Sequence, residues 1–184
     1  MKLKTSFISS LAFLAICLAL FSCKSGKQKL QESISTNEQK LFSDSTKMLD
    51  ATVAEETLKS YKEYAEKYPD DTASATYLFK SADLANGMRK YKEAIDLYGR
   101  FGEKYPTHRK AAASLFLQAF IYDNNLRDKE KAKQLYSEFL QKYPDHQLAA
   151  SAKVSLEQLN MGLTDEELVK MFEAKQDSLA RAGK

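Results

Sequence analysis

The side chains best suited to chemistry in this chain are few: two histidines, His108 and His146, and two cysteines, Cys17 and Cys23, among 184 residues. Each histidine stands two residues beyond a proline, and an imidazole in either place could serve as a base or a metal ligand. A site needs converging groups, however, and these two lie on different repeats, at helix starts where a polar residue is the expected occupant. The run Asp165-Glu166-Glu167 has the composition of a cation site, but acidic residues in a first helical turn already complement the helix dipole. Lys67, Lys104 and Lys142 complement the opposite pole at helix ends. No nucleotide loop, metal-ligand spacing or nucleophile motif is present. The sequence therefore predicts a protein that is not an enzyme, with no cofactor, no metal and no small-molecule substrate.

Cys23 is the exception. Lys2 and Lys4 precede an apolar run from Phe7 to Phe21 that is built like a secretory signal and is short for a bilayer span. It ends Leu20-Phe21-Ser22-Cys23, which resembles the bacterial lipoprotein box. The resemblance implies cleavage after residue 22 and lipidation of Cys23 by a thioether-linked diacylglycerol and an amide-linked acyl chain, enough methylenes for stable anchoring. Cys17 leaves with the signal, so lipidation accounts for the one remaining thiol and leaves no disulfide to form. Lysine rather than aspartate at position 24 resembles the outer-membrane sorting signal of enteric bacteria. The implied location is a bacterial cell envelope, lipid-anchored at the outer membrane and facing the periplasm. Of 28 basic side chains, Lys2 and Lys4 depart with the signal, so 26 face 25 acidic ones and the near-neutral body gives no support to nucleic-acid binding.

The elements that must carry any function are set by a repeat. Glu66-Lys67-Tyr68-Pro69 returns as Glu103-Lys104-Tyr105-Pro106 and as Gln141-Lys142-Tyr143-Pro144, with the three prolines, the only ones in the chain, 37 and then 38 residues apart. Twelve residues before the second and third prolines stand Ala94 and Ala132, followed at helical spacing by Tyr98 and Phe101, and by Tyr136 and Phe139. Units of this size cannot bury an apolar face alone and must stack on their neighbours. The expected fold is all-α, a solenoid of stacked antiparallel helix pairs with about seven helices.

In chain order, residues 1–22 are the predicted signal and residues 23–50 a lipidated tether, polar and aperiodic to about Ser35, with a weakly patterned helix over 37–49 that Thr36 and Gln39 could cap. The repeat domain is expected over 51–160. Its first helix, 52–67, opens on a Thr52/Glu55 capping box and is lined by Leu58, Tyr61, Ala65 and Tyr68. Asp70, Thr107 and Asp145, each just after a proline, are the expected caps of helices over 72–86, 108–123 and 146–159. Gly87, Asn124-Asn125 and Gly162 are expected to end them in left-handed geometry. Partner helices follow over 90–104 and 128–142, with Ala82 against Ala94 and Ala119 against Ala132 where helices approach closely. Residues 161–184 read as a capping helix opened by Thr164 and Glu167 and carrying Leu168, Met171 and Phe172.

This pattern resembles the tetratricopeptide repeat: small residues in the first helix (Ala82, Ala119), an alanine opening the second (Ala94, Ala132), an aromatic four later and a proline twelve after the alanine. The resemblance covers about 52–160, two full repeats with a half-repeat on each side. A unit longer than the standard one and ending in Tyr-Pro is similar to the repeats of periplasmic lipoproteins of the β-barrel assembly machinery and of the coordinator of cell division with envelope constriction. The family implies a groove lined by the first helices, toward which register places Phe79, Asp83 and Asn86 with Phe116, Phe120 and Asp123; the alternative is that the three phenylalanines are inter-repeat core. The function implied is a membrane-anchored scaffold binding a protein or peptide of the envelope. The rival is a passive periplasmic spacer without a client.

Overall fold

The computed structural model of the chain describes residues 25–43 and 50–162, with residues 167, 169, 170, 173, 174 and 176. Among them there are seven α-helices and no strand: α1 Gly26–Phe42, α2 Ala51–Lys67, α3 Thr72–Gly87, α4 Tyr91–Lys104, α5 Ala111–Ile121, α6 Lys129–Lys142 and α7 Ala149–Met161. A π-turn, Tyr122–Leu126, continues α5. The all-α helix-pair architecture is the one the repeat predicts. The chain divides into two compact units, Met1–Tyr77 and Leu78–Lys184. Glu167 is helical; the predicted signal, Cys23, Thr164, Asp165, Glu166, Leu168, Met171 and Phe172 lie outside the described residues.

The three Tyr-Pro corners have one geometry. Tyr68, Tyr105 and Tyr143 close α2, α4 and α6 with φ/ψ of −126°/57°, −128°/56° and −134°/54°. A following proline drives its neighbour out of the α region, so each helix stops at the tyrosine. The tyrosine N–H still donates four residues back, to Tyr64, Phe101 and Phe139, at 3.0, 2.9 and 2.8 Å. Its carbonyl then accepts from the residue three on, Asp71, His108 and His146, at 3.0, 3.0 and 3.2 Å, a β-turn with proline in its favoured second place. The expected caps are one residue out of place. The acceptors are the next side chains: Asp71 Oδ1 takes the N–H of Ala73 at 2.8 Å, and the Nδ1 atoms of His108 and His146 take those of Lys110 and Leu148 at 3.1 Å each. The turn occupies 106–110 and 144–148, so α5 and α7 begin at Ala111 and Ala149, three residues later than predicted.

The flexible tether expected to about Ser35 is helical instead, and runs without a break into the helix expected from 37. The element, Gly26–Phe42, is a 17-residue helix opened by a reciprocal capping box, in which Ser25 Oγ accepts from Gln28 N–H and Gln28 Oε1 from Ser25 N–H. Thr36 is not a cap; its hydroxyl donates to Glu32 O within the helix at 2.9 Å. Ile34, Asn37 and Leu41 are buried where α1 packs on α2. Polar residues beside that stripe bond the tyrosines of α2: Tyr61 OH donates to Glu38 Oε1 at 2.6 Å and Gln31 Nε2 to Tyr64 OH at 2.9 Å. An ion pair joins Lys27 to Asp71. The half-repeat expected before the first proline is thus a whole pair, α1 with α2. The cap of α2 also differs from Thr52/Glu55: Asp50 Oδ1 accepts from the N–H groups of Thr52 and Val53 at 2.9 and 3.1 Å.

The extra residue of the 38-residue unit has a physical location. Arg89 and Arg127, among the described residues the non-glycine ones with positive φ, 60° and 57°, each stand 17 residues before the next proline, so the surplus falls between Pro106 and Arg127. The π-turn lies there, the form in which an α-helix absorbs a one-residue insertion. These arginines, rather than Gly87 or Asn124-Asn125, take the left-handed conformation. Arg89 does so within a Schellman motif, Lys90 N–H to Ala85 O and Arg89 N–H to Asn86 O at 2.9 Å each. A cation also suits the negative end of the helix dipole. Gly162, with φ 68°, ends α7 as expected.

In the second unit, Ala82, Ala94, Ala119 and Ala132 are fully buried. Gly99 and Gly102 mark the approach of α4 to α5: a Cβ would lie 3.5 Å from Gln118 Oε1 at Gly99 and 3.3 Å from Ser114 Oγ at Gly102. Only the second contact is tighter than ordinary packing. Gly99→Ala should stabilise the fold by roughly 0.5–1 kcal/mol through helix propensity, with Gly102→Ala gaining less. Ala119→Leu should destabilise it by about 1–3 kcal/mol. Urea unfolding of the three variants checks the order.

Candidate partner-binding face

The six residues predicted to face a groove meet three different fates. Phe79, on α3, is 5% exposed, edge-on to Tyr98 and Phe101 with ring centroids 5.5 and 5.1 Å away, and Lys110 Nζ sits 4.1 Å above its ring. It belongs to the core, which corrects the expectation that a partner could reach it. The aromatics of α4 fill one side of the ring, and the start of α5 supplies the cation that closes the other.

Phe116 holds the matching place on α5 and is half-buried, 5.6 Å from Tyr136 and 5.7 Å from Phe139. One turn on, Phe120 lies nearly parallel to it at 6.4 Å and 24°, and is 43% exposed. The place matching Phe116 on α7 is Val154, 52% exposed. Its neighbours on that face, Ala150 and Glu157, are exposed too, whereas Ala152 and Leu159 are buried where α7 packs on α6. Glu157 stands where Ala119 packs in α5, so α7 lacks the small residue that lets a partner helix approach.

The polar members are organised by tyrosines. Tyr98 OH donates to Asp83 Oδ1 at 2.6 Å, and Asn86 is partly buried a turn further along. Asp83 is exposed at the surface, yet the protein packed around its carboxyl desolvates it and pushes it up, opposed by the Tyr98 hydrogen bond and by Lys110. Burial, with Asp83 as acceptor, likewise raises the Tyr98 hydroxyl. Tyr61 and Glu38 repeat the arrangement in the first unit. Tyr136 breaks the series. It is fully buried and its hydroxyl has no hydrogen-bond partner. Burial, with Asp123 alongside, pushes this hydroxyl up to about 12. Sequence reasoning missed the tyrosine–carboxylate pairs. Glu38 precedes Tyr61 by 23 residues and Asp83 precedes Tyr98 by 15, so no spacing betrays them.

The histidines are parts of the corners. Besides accepting an N–H, His108 stands edge-on to Phe101 at 5.2 Å and His146 to Phe139 at 5.8 Å. Among the described residues no three His, Cys, Asp or Glu side chains converge on a point that could hold a metal ion.

The model of the tetratricopeptide repeat family matches residues 76–108 and 113–146. The first match runs from within α3 through α4 to His108, and the second from α5 through α6 to His146, so each spans most of one helix pair. No curated protein matches it.

Because the Asp83 carboxyl is raised in the folded state, its ionisation weakens the fold. Its contribution is fully present below the ordinary carboxylate range and is lost as pH rises through the elevated folded value. The stability of the wild type minus that of Asp83→Asn should therefore grow as pH falls from 7 to 3.5. Thermal melts at intervals across that range test the sign.

Proposed function

We propose that the protein is a membrane-anchored, non-catalytic adaptor of a bacterial cell envelope that holds a protein or peptide of that envelope against the second unit. The observation that carries the reading is Phe120, an exposed aromatic stacked on a half-buried one within a tetratricopeptide repeat. Such repeats imply protein partners. A rigid aromatic at 43% exposure offers large contact area at small entropic cost. Asp123 follows Phe120 by three residues, and Asp83 and Asn86 on α3 add a carboxylate and an amide, so apolar contact and hydrogen bonding are both on offer. Anchorage in this reading comes from the lipid on Cys23. Lys24 directs the anchor to the outer membrane, and the client belongs to its assembly or upkeep.

Phe120→Ser tests the face. In cross-linked envelopes it should recover about tenfold less partner, since losing an aromatic anchor costs about 1–2 kcal/mol, while its melting temperature stays close to that of the wild type. Phe79→Ser, by contrast, should unfold the unit. Recovery unchanged by Phe120→Ser would place the client elsewhere.

A further inference from the structure

We infer, resting on the lipid-anchor reading of Cys23, that the protein has no tether: the first turn of α1 and the Tyr68-Pro69 corner lie directly against the headgroup layer of the bilayer that holds the lipid. Helix α1 opens at Gly26 on its Ser25/Gln28 capping box. The three residues from Cys23 to Gly26 can span at most about 10 Å, whereas a flexible chain from 23 to 50 would have an end-to-end distance of about 30 Å. The leash is therefore about a third as long as the composition of this segment suggests.

Its far end is fixed. Lys27 is ion-paired with Asp71, beyond the first proline. A Cβ on Gly26 would stand 3.6 Å from Tyr68 OH, so the start of α1 packs against the corner itself. Gln31 bonds Tyr64, Glu38 accepts from Tyr61, and Ile34 and Leu41 are buried further along. A chain leaving Cys23 thus enters a helix pinned to α2 at four successive levels. The corner bears a shallow cleft of ≈ 360 Å³ lined by Lys27, Lys67, Tyr68, Pro69, Asp70 and Asp71. Both signs of charge are displayed there, and none of the exposed large apolar side chains lies at it. That chemistry fits the zwitterionic headgroup region, and the corner rests on the membrane without entering the acyl chains.

The test uses the full-length lipidated protein with a fluorophore on Lys29→Cys, an exposed position on α1. It is reconstituted in phosphatidylcholine vesicles carrying a headgroup-nitroxide lipid. A second version has ten Gly/Ser residues inserted between Lys24 and Ser25. The native-length protein should be quenched at least twofold more strongly than the extended one. Equal quenching in two proteins that both float with the vesicles overturns the inference while leaving the anchor intact. If flotation fails, or survives Cys23→Ser, the anchor reading falls and the inference with it. Amide exchange supplies a second readout: slow exchange over residues 29–34 supports the pinned helix, and random-coil exchange there overturns it.

Discussion

The structure depends on a conflict at one peptide bond. A helix that has reached Tyr68, Tyr105 or Tyr143 cannot continue, because the next residue is proline, and the tyrosine is forced out of helical geometry. Its N–H still closes the last turn behind it and its carbonyl opens a β-turn ahead. One residue therefore ends a helix and aims the chain at the next. The aromatic four positions earlier, Tyr64, Phe101 or Phe139, packs on that tyrosine at 5.1, 5.5 and 5.7 Å. Each corner is thus tied to the core of its own pair, so the angle between helices is set by local covalent and steric terms before long-range packing acts.

Those corners were legible because their causes are local. Three prolines in equivalent places, with alanines and aromatics at helical spacing upstream, specify helix ends and core faces within a short window. The caps were misread by one residue for a reason equally local. Asp70, Thr107 and Asp145 are good cap residues by type, but the turn consumes them, and Asp71, His108 and His146 reach the free N–H groups. A histidine as an N–H acceptor at a helix start is uncommon enough that composition alone does not suggest it.

What could not be read depends on groups far apart in sequence. Helix α1 looked like a polar tether followed by a weakly patterned helix because its inner face mixes Ile34 and Leu41 with Gln31, Asn37 and Glu38. That mixture makes sense only once Tyr61 and Tyr64 are known to stand opposite and to need partners. The 37 and 38 spacings disclosed one surplus residue but not its place, which the π-turn Tyr122–Leu126 marks. Phe79, Phe116 and Val154 share one register, yet run from buried to exposed. Exposure at that place is decided by what the following segment lays over it: Lys110 over Phe79, and none of the described residues over Val154.

The glutamate at position 157 gives the array a polarity. In α3 and α5 the corresponding alanine admits a close neighbour, and a pair of this kind can in principle be copied in tandem by in-frame duplication, each new copy nesting on the last. Burying a carboxylate there carries a desolvation cost that alanine does not, so α7 does not offer the same close approach. A further copy nested on α7 would need a basic side chain opposite position 157, a requirement that copies nested on α3 and α5 do not carry.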